Sequence, residues 1–237
     1  MQTLAQAYQE FNLDNAIQHQ LQGHAHALNA YEECCGRYVG QYKTALIWQG
    51  KNGEQQTWSF ERLAQLSAQL ANYLTSIGIQ KGQRIAGLLP RTPELIITIL
   101  ATWRIGAVYQ PLFTAFESKA IEHRIETADT QLIVTNIEQR EKLNNLEVNQ
   151  ILTVDARTDA HNIDADFWAT IQAQLNEQTP VSLTFQDDFL MMFTSGTTGL
   201  SKSVAVPLKA LLAFKGYMQY ALDLREQDSF WNLADPG

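Results

Sequence analysis

Cysteine is almost absent from this chain, and what there is does not staple a fold. Among 237 residues only Cys34 and Cys35 are cysteine. Neighbours in sequence rarely reach disulfide geometry, and two thiols do not complete a structural zinc site. The expectation is a pair of reduced thiols in a cytoplasmic protein. Long apolar runs are missing as well: the longest, residues 95–108, is broken by Arg104 and is too short to cross a bilayer. Residues 1–16 are polar and include acids, unlike a signal peptide. Nor is there an excess of base, since 25 Asp and Glu stand against 17 Lys and Arg for a net charge of −8. That sign argues against nucleic acid or an anionic membrane as partner, while a nucleotide needs only a local basic or amide-lined pocket. No period repeats and no segment is of low complexity. His19, His24 and His26 lack acidic or cysteine companions at metal-binding spacing and read as part of a solvated helix or loop.

What is present is ample material for a core, with 45% of residues hydrophobic. The opening forty residues, rich in Gln and His, read as helices. A hairpin follows, with Ala45-Leu46-Ile47-Trp48 and Gln56-Thr57-Trp58 joined by a turn in which Asn52-Gly53 supplies the positive φ angles. Ser59 then caps a helix. Phe60, Leu63, Ala64, Ser67, Leu70, Ala71, Leu74 and Ile77 recur at three- and four-residue steps along its inward face, up to Gly78. Beyond it strands at 84–89, 107–112, 131–135 and 150–154 alternate with helices at 93–104, 118–128, 136–146 and 165–175. This alternation predicts an α/β fold, a doubly wound and mostly parallel sheet with helices on both faces. Sheets of this kind bind ligands at the carboxyl ends of their strands. Residues 176–188 have the composition of a connector. The expected organisation is a helical extension over 1–43, a first α/β subdomain over 44–180, and the start of a second subdomain over 181–237.

One loop carries chemistry. Phe189-Leu190-Met191-Met192-Phe193, free of polar residues as a buried strand requires, runs into Thr194-Ser195-Gly196-Thr197-Thr198-Gly199-Leu200-Ser201-Lys202. The glycines let successive backbone N–H groups point into one concavity, the hydroxyls add neutral donors, and the lysine adds a mobile positive charge. Together they form a cradle for a polyphosphate. A Walker P-loop is the competing pattern, but its second glycine is missing, and Val204-Ala205-Val206-Pro207 reads as a strand where that motif must open a helix.

With those residues in place, the stretch 194–202 resembles the phosphate-binding signature T-S-G-T-T-G-x-P-K-G of the adenylate-forming (AMP-dependent synthetase and ligase) superfamily. It departs from that form at Ser201, where Pro is usual, and at Ser203, where Gly is usual. Residues 82–116, with Leu89-Pro90-Arg91-Thr92-Pro93-Glu94 and Gly106-Ala107-Val108-Tyr109-Gln110-Pro111-Leu112-Phe113, resemble the segment those enzymes carry ahead of the loop. Trp231-Asn232-Leu233-Ala234-Asp235-Pro236-Gly237 is similar to a stretch of the acetyl- and short-to-medium-chain acyl-CoA synthetases. Residues 29–38 point to that branch too, although Gly36 and Tyr38 replace its usual Asp and His.

The resemblance implies a two-step ligase in which ATP and a carboxylic acid give acyl-AMP and pyrophosphate, with Mg2+ bridging phosphate oxygens, and the CoA thiol then displaces AMP. It implies that Thr194, Ser195, Gly196, Thr197, Thr198, Gly199 and Lys202 hold the β- and γ-phosphates, with Lys202 offsetting charge on the departing pyrophosphate. It also puts Arg140 and the loop 113–119 near the nucleotide end of CoA, where an exposed helix arginine is the plainer alternative and Glu117 stands where Gly is frequent. The family's adenine, ribose and hinge segments and its mobile C-terminal domain lie further along than Gly237. The resemblance therefore implies an N-terminal part that is catalytically incomplete by itself. Two alternatives stay open: another adenylating enzyme, of peptide-synthetase or luciferase type, and a noncatalytic nucleotide-binding or interaction module.

Overall fold

The computed structural model describes residues 3–10, 12, 20–155, 164–194, 200–231 and 234. The helical opening is only partly realised. α1 (Leu4–Glu10) and α2 (Ala30–Cys34) are helices, but between them His24 bridges Ala27, and Leu28 bridges Leu183 in antiparallel fashion. Burial explains the change, because a bent, non-helical strap lets Leu21 and Leu28 pack with Leu183, Phe189 and Leu208 in one apolar cluster. His24 and His26 are exposed on the turn; His19 lies outside the described residues.

The hairpin forms as β1 (Thr44–Gln49) against β2 (Gln55–Ser59). Of the Asn52-Gly53 pair only Gly53 takes a positive φ, at 91°. The Ser59 hydroxyl then accepts the Arg62 N–H at 3.2 Å and caps α3 (Phe60–Ser76). Its end is a Schellman closure, with Gly78 at φ 89° and the Ile79 N–H on the Leu74 carbonyl at 3.0 Å. The expected inward positions Leu63, Ala64, Ser67, Leu70, Ala71 and Leu74 are all buried, each leucine contributing about 1.5–3 kcal/mol.

The alternation that follows builds a seven-stranded sheet. Its strands are β3 (Arg84–Leu88), β4 (Val108–Pro111), β5 (Thr130–Asn136), β6 (Gln150–Val154), β7 (Ala165–Asp166), β8 (Asp188–Thr194) and β9 (Lys202–Pro207), in the order β7-β6-β5-β3-β4-β8-β9. All neighbours are parallel except β8 and β9. α4 (Pro93–Arg104) and α5 (Ser118–Ala128) have the expected bounds, with Pro93 at the first turn of α4. The helix expected over 136–146 shrinks to α6 (Ile137–Arg140) and a 3-10 turn over Glu141–Leu143. The one expected from 165 begins later, as α7 (Phe167–Gln172), because Ala165 and Asp166 first pair with β6 and the Asp166 carboxylate caps the Ala169 N–H. Alternate side chains feed two cores. Ile85, Leu132 and Val134 pack with α3, α4 and Phe167 on one face; Ala86, Leu88 and Ile133 pack with Ile121, Ile125 and Leu143 on the other. Among the described residues no helix is long and apolar enough to cross a membrane.

β8 and β9 belong to this sheet, since β8 pairs with β4 through Leu190 and Tyr109. The preceding connector is strapped down by backbone bonds, Val181 N–H to Arg104 O and a reciprocal pair between Leu183 and Leu28, each at 2.9 Å. The strand 189–193 is less buried than its composition suggests: Phe189 is buried, but Met192 is 46% exposed. β9 forms the sheet's edge, and α8 (Ala210–Tyr220), which follows it, buries none of its residues, leaving Phe214, Tyr217 and Met218 exposed.

Arg104 ties these parts together. It is 5% exposed, donates Nε to Ser67 Oγ at 3.2 Å and Nη2 to Ala64 O at 3.0 Å, and gives Nη1 to Gln178 O. Its guanidinium sits 3.7 Å from the centre of the Tyr31 ring. Burial pulls its pKa down, yet an arginine keeps its charge in a protein. Arg104→Met should leave these buried carbonyls without donors and cost about 2–4 kcal/mol. Urea denaturation reads that loss as a lowered midpoint with an unchanged slope, and an unchanged midpoint would remove Arg104 from this role.

Candidate active site

The signature loop leaves the carboxyl end of β8, which runs parallel to β4 and therefore to β3, β5 and β6. Ligands of open α/β sheets gather at that edge. The chain returns as β9, antiparallel, with Thr194 opposite Lys202 and Phe193 opposite Ser203. This is strand–loop–strand, the context that separates the site from a Walker motif. Ser195, Gly196, Thr197, Thr198 and Gly199 lie outside the described residues. The stems are described. Directly opposed residues of an antiparallel pair share a face, and so do residues two apart, so Thr194, Lys202, Met192 and Val204 lie on one side. All four are exposed. Lys202 thus stands exposed at the mouth of the loop, beside the apolar side chains of Met192 and Val204.

The opposite side is occupied by α5. The Arg124 guanidinium lies 3.9 Å from the Phe116 ring centre and 5.5 Å from that of Phe193, and burial lowers its pKa. His123 Nε2 is 2.9 Å from the Ser201 carbonyl oxygen. Neither residue stands out in the sequence. The available signal was only that α5 carries His and Arg beside an otherwise amphipathic pattern. The Ser201 hydroxyl is buried without a partner among the described residues.

Arg140, at the carboxyl side of β5, is not a free surface cation. Its Nε and Nη2 engage the carboxylate of Asp164, which is nearly buried, and its Nη1 donates to Asn144 Oδ1 at 2.9 Å. Thr153 Oγ1 donates to the same carboxylate at 2.8 Å. The loop 113–117 is folded by an edge-to-face pair of Phe113 and Phe116 at 5.4 Å and by Lys142 Nζ on Thr114 O at 2.6 Å. Among the described residues no group of three His, Cys, Asp or Glu is placed to hold a metal ion.

The adjacent cysteines face different surroundings. Cys34 is exposed; Cys35 is buried, donates its S–H to Phe60 O at 3.7 Å, and is pushed up to about 12 by burial. Desolvation and the neighbouring Glu33 push the Cys34 thiol up as well, to about 11, so both are protonated at neutral pH and they differ in access to solvent rather than in acidity. Titration with a disulfide reagent at neutral pH should modify Cys34 in the folded chain and Cys35 only after denaturant is added. Equal reactivity of the two in the native state would contradict this.

Comparison with known proteins adds the wider setting. A model of the family described as AMP-binding enzyme matches residues 36–237. An acetyl-coenzyme A synthetase of Bacillus subtilis is 30% identical over 222 residues, covering 89% of this chain and 38% of that protein. One from Streptomyces coelicolor is 30% identical over 233 residues, covering 89% of this chain and 36% of that protein. The crystal structure of a Brucella canis acyl-CoA synthetase superimposes with a TM-score of 0.95 at 44% identity, covering all of this chain and 44% of that one. The chain spans a little over a third of the length of these curated relatives.

Proposed function

Because the chain belongs to the AMP-binding enzyme family, we propose that it forms the amino-terminal, phosphate-gripping part of an ATP-dependent acyl-CoA synthetase acting on a short or medium carboxylate. The observation that carries this is the hairpin of β8 and β9, which sets Lys202 opposite Thr194 at the carboxyl edge of the parallel sheet. The relatives' names support the acyl-CoA branch over other adenylating enzymes.

In the proposed reaction a carboxylate oxygen forms a bond to the α-phosphorus of ATP. The bond from that phosphorus to the bridging oxygen breaks, and pyrophosphate leaves with the electron pair. The sulfur of CoA then attacks the acyl carbon, AMP departs with the carbon–oxygen pair, and the thiol proton goes to solvent. What this chain contributes is position and charge. Residues 194–199 would offer hydroxyls and backbone N–H groups to the β- and γ-phosphates. Lys202, exposed at the mouth of the loop, would offset the charge that accumulates on pyrophosphate as it leaves. A magnesium ion, if bound with the nucleotide, would supply further neutralisation of phosphate charge. Arg140 would meet the nucleotide end of CoA only by exchanging its Asp164 carboxylate for a phosphate. A cytoplasmic setting fits the unpaired thiols.

Inorganic pyrophosphate tests the grip directly. Its phosphorus resonance should broaden on addition of the chain, and Lys202→Ala should weaken binding about 10–100-fold, the worth of one charge-assisted contact at about 1.5–3 kcal/mol. In a protein carrying this chain together with the remainder found in its relatives, the same change should depress carboxylate-dependent exchange of pyrophosphate into ATP. Undiminished exchange and binding in Lys202→Ala would end the proposal.

A further inference from the structure

The hairpin that presents Lys202 is held from one side by two consecutive residues of α5. Arg124 stacks near Phe193, the residue before Thr194, on the incoming strand. His123 meets the carbonyl of Ser201, the residue before Lys202, on the outgoing one. These partners are distant in sequence, 78 residues separating His123 from Ser201, so the contact is tertiary and depends on how α5 packs.

The chemistry of the His123 contact is constrained. A carbonyl oxygen only accepts, so Nε2 must carry the hydrogen and donate it. The neutral Nε2–H tautomer satisfies this. The Ser201 side chain supplies no substitute, because its hydroxyl is buried and without a partner among the described residues. The pair Thr194 and Lys202 is the last rung of the ladder before the loop. Beyond that rung the imidazole meets the Ser201 carbonyl of the outgoing stem. A lysine reaches its target from a flexible four-carbon stem, so the place of its Cα decides where the charge can go.

We propose that His123 is a positioning residue. Its Nε2–H fixes the outgoing stem of the signature loop and so sets the point from which Lys202 approaches an anion. The tether is independent of what the loop binds; its consequence for phosphate rests on the function proposed above. Arg124 acts on the incoming strand and the β8–β9 ladder ends at Lys202 itself, so neither of them holds the Ser201 carbonyl.

Two substitutions separate the hydrogen bond from the ring. His123→Phe keeps a ring of similar size and removes the donor; His123→Gln places an amide N–H at comparable reach. Amide hydrogen exchange over residues 200–202 should run about five- to tenfold faster in His123→Phe, the equivalent of one lost hydrogen bond, with the rest of the sheet unchanged, and His123→Gln should restore native exchange. Affinity for inorganic pyrophosphate should fall by a similar factor in His123→Phe and recover in His123→Gln. Unchanged exchange in His123→Phe, or equal loosening in both variants, would overturn the tether. Faster exchange in His123→Phe, with pyrophosphate affinity unmoved both there and in Lys202→Ala, would keep the tether and reject the phosphate assignment. Should His123→Phe fail to fold, the imidazole nitrogen spectrum of the native chain decides instead: a proton on Nε2 supports the tether, and a neutral ring protonated at Nδ1 overturns it.

Discussion

A guanidinium buried among carbonyl oxygens governs where the functional hairpin can sit. Arg104 ends α4 and reaches into α3 through Ser67 and Ala64, into the connector through Gln178, and onto the ring of Tyr31 in α2. The backbone around it is read by Asn29, whose Nδ2 donates to the carbonyls of Trp103 and Val181, both at 2.9 Å. Trp103 completes the chain of contacts by donating Nε1 to the Phe189 carbonyl in β8 at 2.8 Å. A buried charge is costly unless its hydrogen-bonding capacity is met. Here it is met when α3 and the connector converge on the end of α4, and the adjacent Trp103 carries the same polar cluster to β8.

The regular elements were legible because burial on one face imposes a period. α4 and α5 and the strand β6 have the bounds that apolar spacing and Pro93 suggested. Failures cluster where polar contacts decide the path. Leu21 to Asn29 carries helix-compatible residues, yet it bends and turns instead, with Leu28 bridged to Leu183. The connector looked like a free linker, and its role depends on backbone bonds to residues about 80 and 150 positions away in sequence, which composition does not encode. The apolar run in β8 signalled a strand correctly, but not how much of it stays open, because exposure there depends on what covers the sheet's edge.

For the site, residue type was informative and neighbourhood was not. Hydroxyls, glycines and Lys202 in one stretch announce anion chemistry, and the antiparallel return of β9 fits it. His123 gave no such sign, because a helix histidine acquires meaning only from what it faces. Arg140 illustrates the converse. A basic residue beside a strand's carboxyl end invites a ligand, but Asp164 holds it in a bidentate pair, and any phosphate there must displace a nearly buried carboxylate first.

The uncovered side of β8, β9 and α8 has a colloidal consequence. Met192, Val204, Phe214 and Tyr217 stand 43–61% exposed beside an unpaired strand edge, a combination that invites copies to adhere. Mutual repulsion from the net charge of −8 opposes this near neutrality. It vanishes toward the isoelectric point of about 5.1 and is screened by salt, so self-association should be strongest in mildly acidic, saline solution and weakest in dilute alkaline buffer.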